Sequence, residues 1–154
     1  MRANFAAVAI AGLAVIGTFY PALRAKEAPS GSRSVWDGVY TQEQADRGHS
    51  LYNQYCASCH GDTLAGGEVT PPLAGGDFLA NWNGLTVGDL FERIRRSMPQ
   101  NDPGRLSRQQ DADVLAYMLS FNKFPAGKTE LAHNTEILNQ IRIKATKPDP
   151  KNDK

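Results

Sequence analysis

Cysteine is scarce in this sequence: two residues in 154, Cys56 and Cys59, both inside one pentapeptide. A bridge across two residues closes no useful loop, so a disulfide-built fold is excluded. A four-ligand zinc ribbon fails too, because there is no second cysteine pair. An excess of one charge sign is also missing. Seventeen basic residues stand against 16 acidic ones, a formal net charge of +1. There is no long basic run outside a short tail, so charge offers no argument for a nucleic-acid partner. Charged residues make up 21% of the chain. That is near the globular average and excludes wholesale disorder. No internal repeat is visible, and the length suits one modest domain.

One long uncharged run is present. Behind Met1-Arg2, Phe5 to Tyr20 reads FAAVAIAGLAVIGTFY. It suits the apolar core of a signal peptide and is short of the roughly 17–25 residues of a membrane span. Residues 1–25 are therefore expected to be a signal peptide cleaved near Ala22 or Ala25. The rival is an uncleaved anchor holding the chain to the membrane through residues 5–20. Both readings deliver the chain outside the cytoplasm, to the periplasm or the outer face of the cytoplasmic membrane. Residues 26–38 read as a polar linker.

Three helices announce themselves. Thr41-Gln42-Glu43-Gln44 fits a capping box, in which the Thr hydroxyl bonds the N3 amide and the Gln side chain reaches back. Ala45, Gly48, Tyr52 and Tyr55 then share one face. Gly48 costs about 1 kcal/mol relative to alanine inside a helix, which points to close contact with another helix. Gly61 to Gly84 is rich in Gly and Pro and reads as a loop. A second helix starts at Thr86-Val87-Gly88-Asp89, carries Leu90, Ile94 and Met98 on one stripe, and stops at Pro99. A third starts at Ser107, with Gln110 at the capping-box position, and fades at Asn122. Beyond it, Ile137, Leu138, Ile141 and Ile143 can form a strap over the body. Residues 132–154 otherwise read as a polar tail.

The chemistry lies in Cys56-Ala57-Ser58-Cys59-His60. C-x-x-C-H is the attachment signature of haem c. Two thiols add to the vinyl groups of neighbouring pyrroles, two residues span that separation, and the next imidazole stands over the iron as proximal ligand. A thioredoxin-type dithiol would sit at a strand-to-helix junction, and no βαβ pattern precedes the motif. Zinc would need further ligands.

Beyond this motif, the chain resembles a class I monohaem cytochrome c over Val39 to Leu131. The likeness is strongest to the small c-type domains that serve periplasmic quinoprotein dehydrogenases. It rests on CASCHG, Gly48-x-x-x-Tyr52, Pro71-Pro72-Leu73-Ala74-Gly75, Met98-Pro99 and Ala116-Tyr117, in that order along the chain. Phe124-Pro125-Ala126-Gly127 adds to the dehydrogenase flavour. The resemblance implies a mainly α fold in which about three principal helices and their loops wrap one covalent haem. Residues 39–131 form the domain, and the first and last helices cross at Gly48 near Tyr117. It further implies that the carbonyl of Pro71 accepts from the His60 ring. Phe78, Trp82, Leu85, Leu90, Phe91 and Ile94 would wall the pocket, with the Trp82 N–H directed at a propionate.

For the sixth ligand the expectation is Met98, 38 residues after His60. A thioether raises the reduction potential and leaves no open site. Met118 lies in an apolar helix run, where methionine usually serves as filler. His49 and His133 read as surface residues. From Arg93 to Lys128 basic residues outnumber acidic ones, which reads equally as a docking patch or propionate clamp and as solvated surface. The function expected is one-electron transfer between a periplasmic donor, such as a quinoprotein dehydrogenase, and a respiratory acceptor, without enzymatic activity. Two alternatives stand beside it: a haem enzyme or ligand sensor with an open sixth position, and a fixed cytochrome subunit of a dehydrogenase or respiratory complex.

Overall fold

Three of the described α-helices start at hydroxyl caps. A computed structural model describes residues 33–149; the expected signal or anchor, most of the linker and the last five residues lie outside the described residues. Helix α1 spans Gln42–Tyr55, and its N-cap Thr41 accepts from the Gln44 amide at 3.2 Å. The reciprocal half of that capping box does not form. The Gln44 side chain is fully buried and pairs both ways with Leu131, donating to its carbonyl at 3.0 Å and accepting from its amide at 2.6 Å. A buried backbone unit left unsatisfied would cost about 1–3 kcal/mol, so Gln44 serves Leu131 rather than the solvated helix start.

Helix α2 is a single turn, Ala57–His60, directly after Cys56. Helix α3, Gly75–Trp82, lies within the stretch read from sequence as a loop. Its start has no local signal, because Ala74 at the N-cap offers no side-chain acceptor. The acceptor comes from Asn122 at the far end of the domain, whose Oδ1 takes the Gly75 amide at 3.1 Å. Helices α4, Val87–Ser97, and α5, Arg108–Phe121, both begin with complete capping boxes, Thr86 with Asp89 and Ser107 with Gln110. A short α6, Thr135–Leu138, precedes a two-residue strand, β2 (Ile141–Arg142). That strand pairs in parallel with β1 (Arg33–Ser34), Arg33 opposite Ile141.

The principal packing is α1 across α5. A Cβ built on Gly48 would stand 1.8 Å from the Asp113 carbonyl oxygen, so the two backbones touch. Around this point Tyr52 meets Tyr117 at 5.2 Å and His49 stacks on Tyr117 at 4.7 Å. Arg47 forks onto Asp113 through two bonds of 3.1 Å and reaches Glu130 at 2.8 Å. Helix α4 brings Leu90, Phe91 and Ile94 into the same core.

The packed body extends beyond 39–131 on both sides. Val35 is fully buried, as are Leu138 and Ile143, with Ile141 nearly so. Ile137, the first residue of the expected strap, is 47% exposed. The strap is tied down by the Trp36 indole, which donates to the Lys144 carbonyl at 2.9 Å, and by the Ile143 amide, which donates to Leu85 O at 2.9 Å.

Candidate functional site

Helix α1 delivers the C-x-x-C-H motif almost without a break. The Cys56 amide donates to Tyr52 O at 2.8 Å, and the Cys59 and His60 amides both donate to Cys56 O, at 3.1 and 2.9 Å. Residues three and four apart share a helix face, so this turn gathers both sulfurs and the imidazole on one side. Gly61, with φ of 73°, ends the turn, and the Tyr52 hydroxyl holds its carbonyl at 2.7 Å. Cys56 is half-buried and Cys59 exposed, while His60 keeps 6% of its surface.

His60 Nδ1 lies 3.0 Å from the carbonyl oxygen of Pro71. A carbonyl can only accept, so Nδ1 carries the proton and Nε2 presents a lone pair. That is the state of a metal-ligating imidazole, oriented and made more basic by the bond at its other nitrogen.

Both thiols are free. Burial, with smaller contributions from Asp111 and Cys59, pushes Cys56 up to about 11. A nucleophilic thiol in a redox-active C-x-x-C pair has a lowered pKa, and the burial of Cys56 works in the opposite direction. Among the described residues no group of three or more His, Cys, Asp or Glu is arranged to hold a metal ion. The donor set therefore fits neither a dithiol nor a zinc centre.

Met98 closes α4 in extended conformation, its amide donating to Ile94 O at 2.8 Å, and it packs partly buried against the core. Trp82, the last residue of α3, is half-buried with its ring 6.4 Å from that of Phe78. Phe78, Leu90, Phe91 and Ile94 are buried, but Leu85 is 43% exposed. The backbone of Leu85 is held by Ile143, and its side chain does not join the core. His49 and His133 are exposed, and neither shares the burial of His60. Met118 is 1% exposed inside α5.

The residues present fit a covalent haem. Two free thiols share a face with a histidine that offers Nε2. Leu73, Leu79, Trp82 and Met98 pack against the core while keeping apolar surface uncovered.

The arginine-rich stretch is largely engaged within the chain. Arg95 and Arg96 bond Glu92 at 2.9 and 2.7 Å, Arg108 lies 4.0 Å from it, and the Thr135 hydroxyl donates to it at 2.6 Å. The Arg95 bond, then that of Thr135, holds the Glu92 carboxyl down at about 2. Arg105 pairs with Asp102 at 3.2 Å and lies over the Tyr55 ring.

Two residues near the site had no signal in the sequence. Asn122 reads as a helix terminator, yet its amide links α5 to the loop that carries Pro71. Asp111 reads as an ordinary acid in the first turn of a helix, where carboxylates are favoured. It is nevertheless 1% exposed, and neither of its oxygens has a hydrogen-bond partner.

The family described as cytochrome c oxidase, cbb3-type, subunit III matches residues 43–118. A thiosulfate dehydrogenase of Stutzerimonas stutzeri (strain A1501) is 37% identical over 84 residues, covering 50% of this chain and 27% of the relative. The cbb3-type cytochrome c oxidase subunit CcoP of Azospirillum brasilense is 32% identical over 92 residues, 49% of this chain and 30% of the relative. The chain thus spans less than a third of the length of these two relatives. Among solved structures, the sulfane dehydrogenase SoxCD of Paracoccus pantotrophus superposes with a TM-score of 0.51 at 26% identity, over 89% of this chain and 74% of that one. With the helical architecture and the C-x-x-C-H turn, these matches show a cytochrome c domain over residues 43–118, in the mainly helical class I fold, a domain family that implies one covalent haem c.

Proposed function

We propose that the chain is a one-electron carrier outside the cytoplasm and not itself an enzyme. Cys56 and Cys59 would attach the haem, and the His60 Nε2 and the Met98 sulfur would hold its iron. The observation that carries the reading is the His60–Pro71 bond of 3.0 Å, which fixes the ring in its ligating tautomer beside two free thiols. When bound, the haem supplies a reversible ferric–ferrous couple. The chain orients the imidazole, keeps water from the buried face of the turn and leaves the Cys59 side exposed for partner approach. Trp82 is assigned to a propionate.

The donor assigned is a dehydrogenase of reduced sulfur compounds, in place of the quinoprotein donor expected from sequence. The thiosulfate and sulfane dehydrogenases among the similar proteins support that choice. They equally favour a second reading, in which the chain is a fixed electron-accepting subunit of such a dehydrogenase. Co-purification of the native protein separates the two: a carrier leaves a dehydrogenase at moderate salt, whereas a subunit remains with it. No described helix is long and apolar enough to cross a membrane. Periplasmic export through residues 1–25 is part of the proposal, and mass spectrometry of the native N-terminus tests it.

The ligand assignment is tested spectroscopically. The ferric protein should show the weak far-red sulfur-to-iron band, and the ferrous protein should bind carbon monoxide poorly. Met98→Ala should remove the band, admit carbon monoxide and lower the reduction potential, because a thioether favours the ferrous state. Met118→Leu should change none of these. Acid–acetone should leave the haem on the polypeptide, and replacing both cysteines by alanine should release it. Rapid, complete carbon monoxide binding by the unmodified protein would turn the reading to an open-site enzyme or sensor.

A further inference from the structure

The loop that presents the Pro71 carbonyl to His60 has little regular structure of its own. Between Leu64 and Gly75 its backbone is closed by a few bonds, the Leu73 amide to Leu64 O at 2.8 Å and the Gly67 amide to Thr70 O at 2.9 Å. Its outer end is held from another element. Asn122, the C-cap of α5, donates from Nδ2 to Leu73 O at 3.0 Å and to Met118 O at 2.9 Å, and its Oδ1 accepts the Gly75 amide at 3.1 Å.

These three bonds make one planar amide a clasp. The Met118 bond sets the amide plane against its own helix. The other two then place Leu73 and Gly75 relative to α5. Helix α5 crosses α1 with the backbones in contact at Gly48, and α1 continues into the turn that bears His60. A closed circuit results: His60, the Pro71 carbonyl, Leu73, Asn122, α5, α1 and back to His60. The near end of the loop is tied to His60 itself by the Gly66 amide, which donates to His60 O at 2.9 Å, and Asn122 joins its outer end to the helix arm.

We propose that Asn122 is a positioning residue for the proximal histidine: by holding Leu73 and Gly75 it keeps the Pro71 carbonyl on the His60 Nδ1–H, and through that bond it sets the reduction potential of the domain. The proposal rests on His60 being the proximal ligand. A bond at Nδ1 raises the basicity of the ligating nitrogen, which favours the ferric state. Slackening the loop weakens the bond, so the potential rises and the Nδ1 proton exchanges faster with solvent.

The test uses the holoprotein with Asn122→Leu, which keeps the branched four-atom skeleton and removes all three bonds. Asn122→Ala serves if the leucine variant yields no holoprotein. Asn134→Leu is the control. It deletes the N-cap of α6, whose Oδ1 accepts from Glu136 and Ile137, and costs stability without touching the Pro71 loop. Three readouts are taken: the reduction potential, the deuterium exchange rate of the His60 Nδ1 proton in the ferrous protein, and the thermal midpoint. Asn122→Leu should raise the potential and speed the exchange severalfold, while Asn134→Leu should lower the thermal midpoint alone. A lowered midpoint with potential and exchange rate both unchanged would overturn the positioning role and leave Asn122 as structural support. Failure of the underlying reading looks different. The unmodified ferrous protein would then lack a ring-current-shifted imidazole N–H from residue 60, whatever the Asn122 variants do.

Discussion

Replacing Gly48 by alanine is expected to destabilise the protein by about 2 kcal/mol or more. Alanine is worth about 1 kcal/mol over glycine inside a helix, so at an uncrowded position the exchange would stabilise. Here the added carbon would stand 1.8 Å from the Asp113 carbonyl oxygen and 2.4 Å from its carbon. Both are backbone atoms of α5, and no rotamer change can move them aside. Relief requires α1 and α5 to separate, which opens the Tyr52–Tyr117 contact and lengthens the Arg47 bonds to Asp113. Because α1 leads straight into Cys56, the same shift displaces the attachment turn. Chemical denaturation of the purified holoprotein, with the yield of haem-loaded protein recorded beside it, checks both consequences. An alanine variant as stable as the parent would mean that the crossing distance is not set at Gly48.

The second large effect concerns pH. Burial raises the Asp111 carboxyl to about 7, against the downward pull of Arg95 and Arg108 and with a small upward push from Glu92. In the unfolded chain the group titrates near 3.8. Below that value both states hold the proton and Asp111 adds no pH dependence. Between the two values the folded state retains a proton that the unfolded state has released, so stability falls as pH rises. Above about 7 the folded state carries the buried charge as well, and the penalty is complete. Asp111→Asn should remove this dependence, so that its stability relative to the parent improves from pH 4 to pH 8 by on the order of 3 kcal/mol. The amide does not titrate in this range, so any cost of burying it is the same at both pH values. Glu92 runs in the opposite sense. Its lowered carboxyl contributes stability that is present above its ordinary value of 4.5 and is lost as pH falls towards 2. Parallel stability profiles for parent and Asp111→Asn over pH 4–8 would rule out the buried carboxyl as the source.

Three helices were legible because their determinants are local. Thr41, Thr86 and Ser107 each offer a hydroxyl to an amide three residues on, and the apolar stripe follows at helical spacing. The attachment motif was legible for a related reason: C-x-x-C-H is contiguous, and its geometry is that of a single turn. Gly48 could be read as a contact point because a helix-interior glycine needs a reason to be there.

Other features depend on residues far apart in the chain. Helix α3 has no cap of its own and takes one from Asn122, 47 positions away. Gln44 leaves its capping role for Leu131, 87 positions away. Val35 and Ile143, near opposite ends of the described chain, meet in one core. By itself the sequence determined the haem attachment turn, the three hydroxyl-capped helices and the position where two of them touch, since each is encoded within a few consecutive residues. Only the tertiary structure decided which amide holds the Pro71 loop against the helices and which carboxyl lies buried without a partner. Those outcomes depend on desolvation and on hydrogen bonds across the fold, which exist only once the elements have packed.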